Sequence, residues 1–352
     1  MEAVTYFTDF LSNIRPTDDQ RAELARGHIT LRERLDAFEP LKPAIITTFL
    51  QGSYRRATAL RPLPGKRSDV DIIVVTRLHE REYTPAQALD LFRPFVEKYY
   101  KGQYRFQGRS IGIQQRHVDL DLVPTSAPPE SVMGVLPEAG DSDAPLDEET
   151  TEQRLRKAAR YDTWRQVPLR IPDRAAMLWE DTHPIAQMQW TREKNAATNG
   201  HFVNVVKAVK WWRYTRSTEV EQPKSYPLER IIADCCPDGV CSVAEGVVRT
   251  LEGIVSRYRN GKPVLPDHGC HPDVLKRVTE DEIRRFYRLV EPAAALARWA
   301  YDAEDIEDSA RYWRELFGDK FPAPPPKRGE GPTGGFTPRS GGPSKVESGR
   351  FA

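Results

Sequence analysis

Cysteine is scarce in this chain. The four that occur, Cys235, Cys236, Cys241 and Cys270, are too few and too clustered for a disulfide framework in a protein of this size. Long apolar runs are missing as well: nowhere do eighteen apolar residues follow one another, and the first residues lack a signal-peptide pattern. Both absences point away from membrane insertion and secretion, and a soluble, cytoplasmic protein is expected. Neither sign of charge is in excess, with 52 Lys and Arg against 51 Asp and Glu. Such a balance leaves no electrostatic footprint for broad nucleic-acid binding, although a local patch stays open. No internal repeat is visible. What is there is 352 residues of mixed composition, enough for one large bilobal domain or two ordinary ones.

The chain is organised around residues 48–76, TFLQGSYRRATALRPLPGKRSDVDIIVVT. An apolar run ends at Gly52-Ser53 and a turn-forming segment follows. Asp69-Val70-Asp71 then leads into Ile72-Ile73-Val74-Val75, which reads as a buried strand. Alternate side chains of a strand share a face, so Asp69 and Asp71 point the same way with Cα atoms roughly 7 Å apart. Two carboxylates converging on a buried strand repel each other unless a cation sits between them, and their hard oxygens suit Mg²⁺. Gly52 lets backbone approach a ligand closely, and Ser53 adds a hydroxyl beside N–H groups able to hold a phosphate. About fifty residues on, 117–124, HVDLDLVP, is a second alternating strand with Asp119 and Asp121 on one face. Acid pairs on two strands strengthen the metal reading, because a two-metal site needs at least three carboxylates around ions roughly 4 Å apart.

Elsewhere the pattern is mostly that of packing helices. Residues 1–40 read as helical, with Thr17 and Gln20 as a capping box and Leu24, Ile29, Leu31, Leu35 and Phe38 as an imperfect stripe. Thr84-Pro85 starts a helix expected to run through Tyr100. Residues 130–149 hold seven acids and no Lys or Arg, a solvated loop. His183 reads as a structural histidine. A helix from about Ala196 to Tyr214 puts Phe202, Val205, Val206, Val209 and Arg213 on one side. Lys210 sits at the edge of that stripe, able to snorkel to water or to reach a phosphate, and Lys207 points further out. Ser225 is a good N-cap with Pro227 in the first turn, and a helix start of this kind is also an anion site. Thr279 and Glu282 form a further capping box, and a helix over 305–317 turns Trp313 and Leu316 inward before Gly318. Cys235, Cys236, Cys241, Cys270 and the histidines beside Cys270 contain enough ligands for zinc, against the commoner alternative of buried unligated thiols. From 322 to 352, seven Pro and seven Gly leave no basis for a packed core, so a disordered tail is expected.

The stretch GSYRRAT…SDVDIIV resembles the bacterial cyclic-oligonucleotide synthases of anti-phage defence, the CD-NTases. These are polymerase-β-like nucleotidyltransferases related to cyclic GMP-AMP synthase and oligoadenylate synthase. The resemblance implies an α+β bilobal fold: a catalytic lobe over 1–165, including a long N-terminal helix spanning both lobes, then a helical, nucleotide-binding lobe over 166–321 and the tail over 322–352. It implies catalytic, metal-holding roles for Asp69, Asp71 and Asp121. The last matches the family's D-h-V-P motif, with Asp119 the fallback. Gly52 and Ser53 would meet substrate. VVKAVKWWR is similar to a family segment that makes Lys210 the phosphate lysine. KSYPLE resembles a motif that gives Ser225 to the triphosphate and Tyr226 to base stacking. The expected cofactors are two Mg²⁺, with Mn²⁺ able to substitute. The expected reaction joins nucleoside triphosphates into a cyclic di- or trinucleotide and releases pyrophosphate. Transfer to an RNA, an antibiotic or a protein, or mere nucleotide binding, are the alternatives. Expected partners are nucleoside triphosphates, a downstream effector reached through the product, and a ubiquitin-transfer-like enzyme acting on the tail.

Overall fold

The computed structural model describes residues 1–127 and 168–325. The acidic stretch 130–149 and most of the Pro/Gly-rich tail, with its expected conjugation, lie outside the described residues.

The N-terminal helix expected as one is two. Helix α1 (Val4–Ile14) ends because the residue before Pro16 is driven into the extended region, Arg15 lying at φ −75°, ψ 153°. Helix α2 (Asp18–Asp36) then starts where the sequence places it, with Thr17 and Gln20 exchanging both hydrogen bonds of a capping box. The two serve different cores. Phe7, Phe10, Leu11 and Ile14 of α1 enter the helical core, whereas Leu24, Leu31 and Leu35 of α2 lie on the sheet. Ile29, counted in the stripe, is exposed instead. Gly27 brings α2 close to the sheet, since a Cβ there would lie 3.2 Å from Val118 Cγ1.

One sheet holds seven strands: β1 (Ile45–Gln51), β2 (Ser68–Thr76), β3 (Tyr104–Phe106), β4 (Ile111–Gln114), β5 (Val118–Ser126), β6 (Leu169–Asp173) and β7 (Leu178–Thr182). Its order is β1-β2-β5-β4-β3, with β6 joined to β5 and β7 to β6. β2 and β5 run parallel at its centre. On one face Val70, Ile72, Val74, Leu120 and Leu122 are buried under α2 and the helices α4 (Pro85–Asp90) and α5 (Arg93–Tyr99), the one-turn helix α3 (Gly52–Arg55) having followed β1. On the other face Ile73, Val75 and Val123 pack with Ile185 and Met188. The helix expected through Tyr100 is interrupted at Leu91–Phe92; Pro94 has no N–H to offer the carbonyl of Asp90. The sheet also continues past residue 165, where the helical lobe was expected to begin. The chain leaves it at His183, which accepts a hydrogen bond from Ala186 N–H at 3.3 Å.

The helical part comprises α6 (Pro184–Ala197), α7 (Phe202–Tyr214), α8 (Ser225–Cys235), α9 (Val243–Tyr258), α10 (Glu280–Asp302) and α11 (Ile306–Phe317). The helix expected from Ala196 is divided by a turn at Asn199 and Gly200, both at positive φ. α7 is enclosed by α1, α6, α8, α9 and α11, so it is buried nearly all round. That corrects the expectation for Lys207, which is 1% exposed rather than turned outward. Helices α10 and α11 start and stop as the sequence predicts, at the Thr279 capping box and at Gly318, with Trp313 stacked on Phe317 at 5.7 Å. Each such large apolar side chain contributes roughly 1.5–3 kcal/mol on burial.

Candidate active site

The acids are arranged by strand register. β2 and β5 are parallel neighbours in which Asp69 lies beside Asp119 and Asp71 beside Asp121. Adjacent strands are about 4.8 Å apart, and the four carboxylates share the face that carries Ile73 and Val123 further along. Gln51 stands opposite Asp71 on one side, and Gly112 opposite Asp121 on the other. At the end of β1, Gly52 turns the chain at φ +79°; a Cβ there would lie 1.7 Å from Asp71 Oδ2. Any other residue there would have to displace that carboxylate and strain the backbone.

The electrostatics are strained in the way the sequence pattern implies. Burial, then the charges of Asp69 and Asp121, push the Asp71 carboxyl up to about 7, with Arg56 opposing. Burial, then Asp69 and Asp119, push Asp121 up to about 6. Asp119 is different: burial raises it, yet Arg67 sits 3.3 Å away and opposes the shift. Asp121 instead accepts an amide N–H of Gln107 at 3.3 Å and faces the gap left by Gly112.

Three hard carboxylates held against mutual repulsion fit an oxygen-loving divalent ion. Among the described residues no three or more His, Cys, Asp or Glu side chains are already gathered into a metal cage. An open array of aspartates matches ions that take further ligands from phosphates and water. As for zinc, Cys235 and Cys236 are buried, Cys270 is half-buried and Cys241 is exposed. Burial pushes the thiols of Cys235 and Cys270 up to about 12.

Beside the acids opens a cleft of about 310 Å³, lined by Ser53, Asp69, Lys210, Arg213, Tyr214 and Ser225 among others. Ser225, expected as the N-cap of α8, is its first residue, with Lys224 as the cap. Lys210 is largely committed: its ammonium donates to Glu229 Oε1 at 2.7 Å and to the Thr58 carbonyl at 3.1 Å. Glu229 also accepts from Arg56 Nε at 3.0 Å and from the Thr58 hydroxyl at 2.9 Å; Arg56 and Lys210 hold its carboxyl down at about 2 against the cost of burial. Arg56 N–H and Thr58 N–H reach back to the carbonyls of Gly52 and Ser53. Arg56, Thr58 and Glu229 fall inside the sequence motifs, but the motifs alone assign them no role. Their polar character within otherwise buried segments is the signal that could have found them.

Tyr226 does not share this cleft. Its hydroxyl donates to Asp267 at 3.1 Å, the Arg56 guanidinium lies over its ring at 5.3 Å, and it lines a separate small cavity with Trp190 and His268. Tyr214 is an aromatic side chain that lines the cleft.

The profile of the Second Messenger Oligonucleotide or Dinucleotide Synthetase domain matches residues 1–133. The chain is 43% identical to the cyclic AMP-AMP-GMP synthase of Enterobacter hormaechei subsp. hoffmannii (strain UCI 50), over the full length of both chains. This chain is a bacterial CD-NTase. A cyclic AMP-AMP-AMP synthase of Acinetobacter sp. (strain ATCC 27244 / 9458) is 29% identical over 90% of this CD-NTase and 84% of the relative. Among solved structures, E. coli MS115-1 CdnC with ATP covers 92% of this chain and 100% of its own at a TM-score of 0.65 and 16% identity. Vibrio cholerae DncV cyclic AMP-GMP synthase with a linear intermediate has a TM-score of 0.64 at 14% identity, covering 90% of this chain and 95% of its own. The CD-NTase thus has the α+β nucleotidyltransferase fold, and it is a cyclic-oligonucleotide synthase that depends on a divalent metal. No helix among the described residues is long and apolar enough to cross a membrane.

Proposed function

We propose that this CD-NTase joins ATP and GTP into cyclic AMP-AMP-GMP, a second messenger for an effector in anti-phage signalling. The reaction rests on one observation, the register that sets Asp71 beside Asp121 with Asp69 on the same face. The product is inferred from the full-length likeness to a synthase of that name, compared with the lower identity to the cyclic AMP-AMP-AMP synthase.

Asp69, Asp71 and Asp121 would hold two divalent ions, which we assign as Mg²⁺ with Mn²⁺ able to replace it. Bound there, such ions lower the pKa of the attacking ribose hydroxyl and offset the charge of the departing pyrophosphate. Gly52 keeps the Asp71 carboxylate in its place, and Ser53 and Ser225 present hydroxyls to the triphosphate in the cleft. An ammonium has three donors; Lys210 directs two to Glu229 and Thr58 and brings the third to the cleft wall. Tyr226 supports the junction of the two lobes through its hydrogen bond to Asp267, and its ring is proposed to stack on a base. A second round of attack within the linear intermediate closes the ring.

The experiment is incubation of purified protein with all four nucleoside triphosphates and Mg²⁺ or Mn²⁺, followed by mass analysis. A cyclic product with two adenines and one guanine is expected. A product without guanine, or turnover only when an RNA, antibiotic or protein acceptor is added, would overturn the proposal.

A further inference from the structure

Four cationic side chains line the cleft, and three of them face a carboxylate: Lys210 with Glu229 at 2.7 Å, Arg67 with Asp119 at 3.3 Å, and Lys224 with Glu221 at 3.5 Å. Arg213 is the exception. It lies three residues after Lys210 on α7, hence on the same side of the helix, and only 9% of it is exposed. One guanidinium nitrogen donates to the backbone carbonyl of Glu221. Its Nε is buried without a hydrogen-bond partner, and among the described residues no carboxylate forms an ion pair with it. Burial lowers its pKa from the ordinary value, with Glu221 only partly opposing.

An arginine that is nine-tenths buried, with its Nε unsatisfied and no carboxylate in contact, is costly to the folded protein. The cost is offset when an anion arrives, and the planar fork of arginine matches two phosphate oxygens at once. We propose that Arg213 binds the phosphate chain of a nucleoside triphosphate in the cleft, as its buried anion-binding cation. The inference rests on reading that cleft as the nucleotide site. It differs from the role expected of Lys210, whose charge is already met by Glu229.

The test uses full-length wild type, Arg213→Met and Arg213→Lys with two probes: ATP carrying an α,β-methylene bridge, which cannot release pyrophosphate, and adenosine, which has no phosphate. Binding is measured calorimetrically with Mg²⁺, and melting curves are recorded for each protein without nucleotide. Losing charged hydrogen bonds to phosphate should weaken the triphosphate analogue about ten- to a hundredfold in Arg213→Met. Adenosine binding should be unchanged, and the melting temperature unchanged or raised, since a buried unpaired charge has gone. Arg213→Lys should keep part of the affinity. Equal analogue affinity in wild type and Arg213→Met would overturn the proposal. So would a fall in melting temperature with parallel loss of both probes, which would make Arg213 a structural prop for the Glu221 segment. Product identity is read separately on wild type, so an unexpected ring composition would refute the product assignment and leave the Arg213 result standing. Failure of wild type to bind the analogue would overturn the nucleotide-site reading and this inference together.

Discussion

At Asp71, burial and two neighbouring carboxylates act in the same direction, and the consequences can be measured. Asp71→Asn and Asp121→Asn should each reduce product formation by more than the roughly 10–100-fold typical of losing an outer-shell partner of a metal. Asp119→Asn should cost far less, because Asp119 is tied to Arg67 at the rim. Initial rates for the three purified variants decide this, and the reverse order would move the third acid by two residues along β5. The same crowding sets a pH dependence. The native Asp71 carboxyl titrates at about 7 against an ordinary value of 3.8, so between these values the folded state holds more protons than the unfolded one. Stability of the metal-free protein should therefore fall as pH rises through that window, with Asp121, at about 6, adding to it. Melting curves of the metal-free protein should show that slope, and Asp71→Asn should flatten it. Added Mg²⁺ should raise the melting temperature more above about pH 7 than below about pH 5, because protons and cation compete for the same oxygens. Equal slopes in wild type and Asp71→Asn would count against the assignment.

Between elements, the decisive joint is the one where β1 hands over to α3. Gly52 sits at φ +79° directly against Asp71. In Gly52→Ala the backbone strain amounts to about 1–3 kcal/mol, and the new methyl must displace the carboxylate. A shift of about 1 Å in a catalytic group can cost on the order of a hundredfold in rate. Gly52→Ala should therefore lose at least that much activity while circular dichroism still reports a folded protein. Near-normal turnover would show that the carboxylate position is not critical. Helix boundaries divide into those that sequence marks and those that it hides. The starts at Thr17 and Thr279 are legible because a capping box is a local pattern, formed by side chains three residues apart, and the start at Thr84 because Pro85 follows it. The interruptions are harder to see. Pro16 and Pro94 break the helical stretches, and the turn at Asn199 and Gly200 separates α6, whose Ile185 and Met188 pack on the sheet, from α7 in the helical core.

Across the whole molecule, the sheet and the helical core are joined by part-buried and buried polar groups rather than by apolar contact alone. Gln51 donates to Gln187, and Gln187 to Asp267, which also receives Tyr226. A few residues away, Glu229 of α8 binds Arg56 and Thr58 of the loop after α3 and Lys210 of α7. Glu229→Gln would leave two buried cations with too little negative charge. It should lower stability by roughly 3–5 kcal/mol, the usual cost of removing one partner of a buried ion pair. Denaturant unfolding measures this, and a change below about 1 kcal/mol would show that the junction does not depend on this carboxylate. Such a junction also explains which site residues sequence can identify. Strand alternation and the spacing of two acid pairs are local facts, so the pairs Asp69/Asp71 and Asp119/Asp121 are legible in the chain by itself, as is a glycine near them, whereas the choice of Asp121 over Asp119 rests on the family motif. The family likeness carried by those motifs supplies the bilobal α+β fold. What sequence does not supply is the surroundings of side chains that meet from distant segments. Lys207 is enclosed because five helices surround α7, Lys210 has its charge met by a glutamate nineteen residues on, and Tyr226 turns toward Asp267 instead of the cleft. By spacing, Arg213 is one member of a helical stripe; packing makes it a buried cation without a carboxylate. Periodicity reports which way a side chain leaves its own helix or strand, but charge, burial and partners are set by whatever the rest of the chain brings against it, and only the tertiary structure decides that.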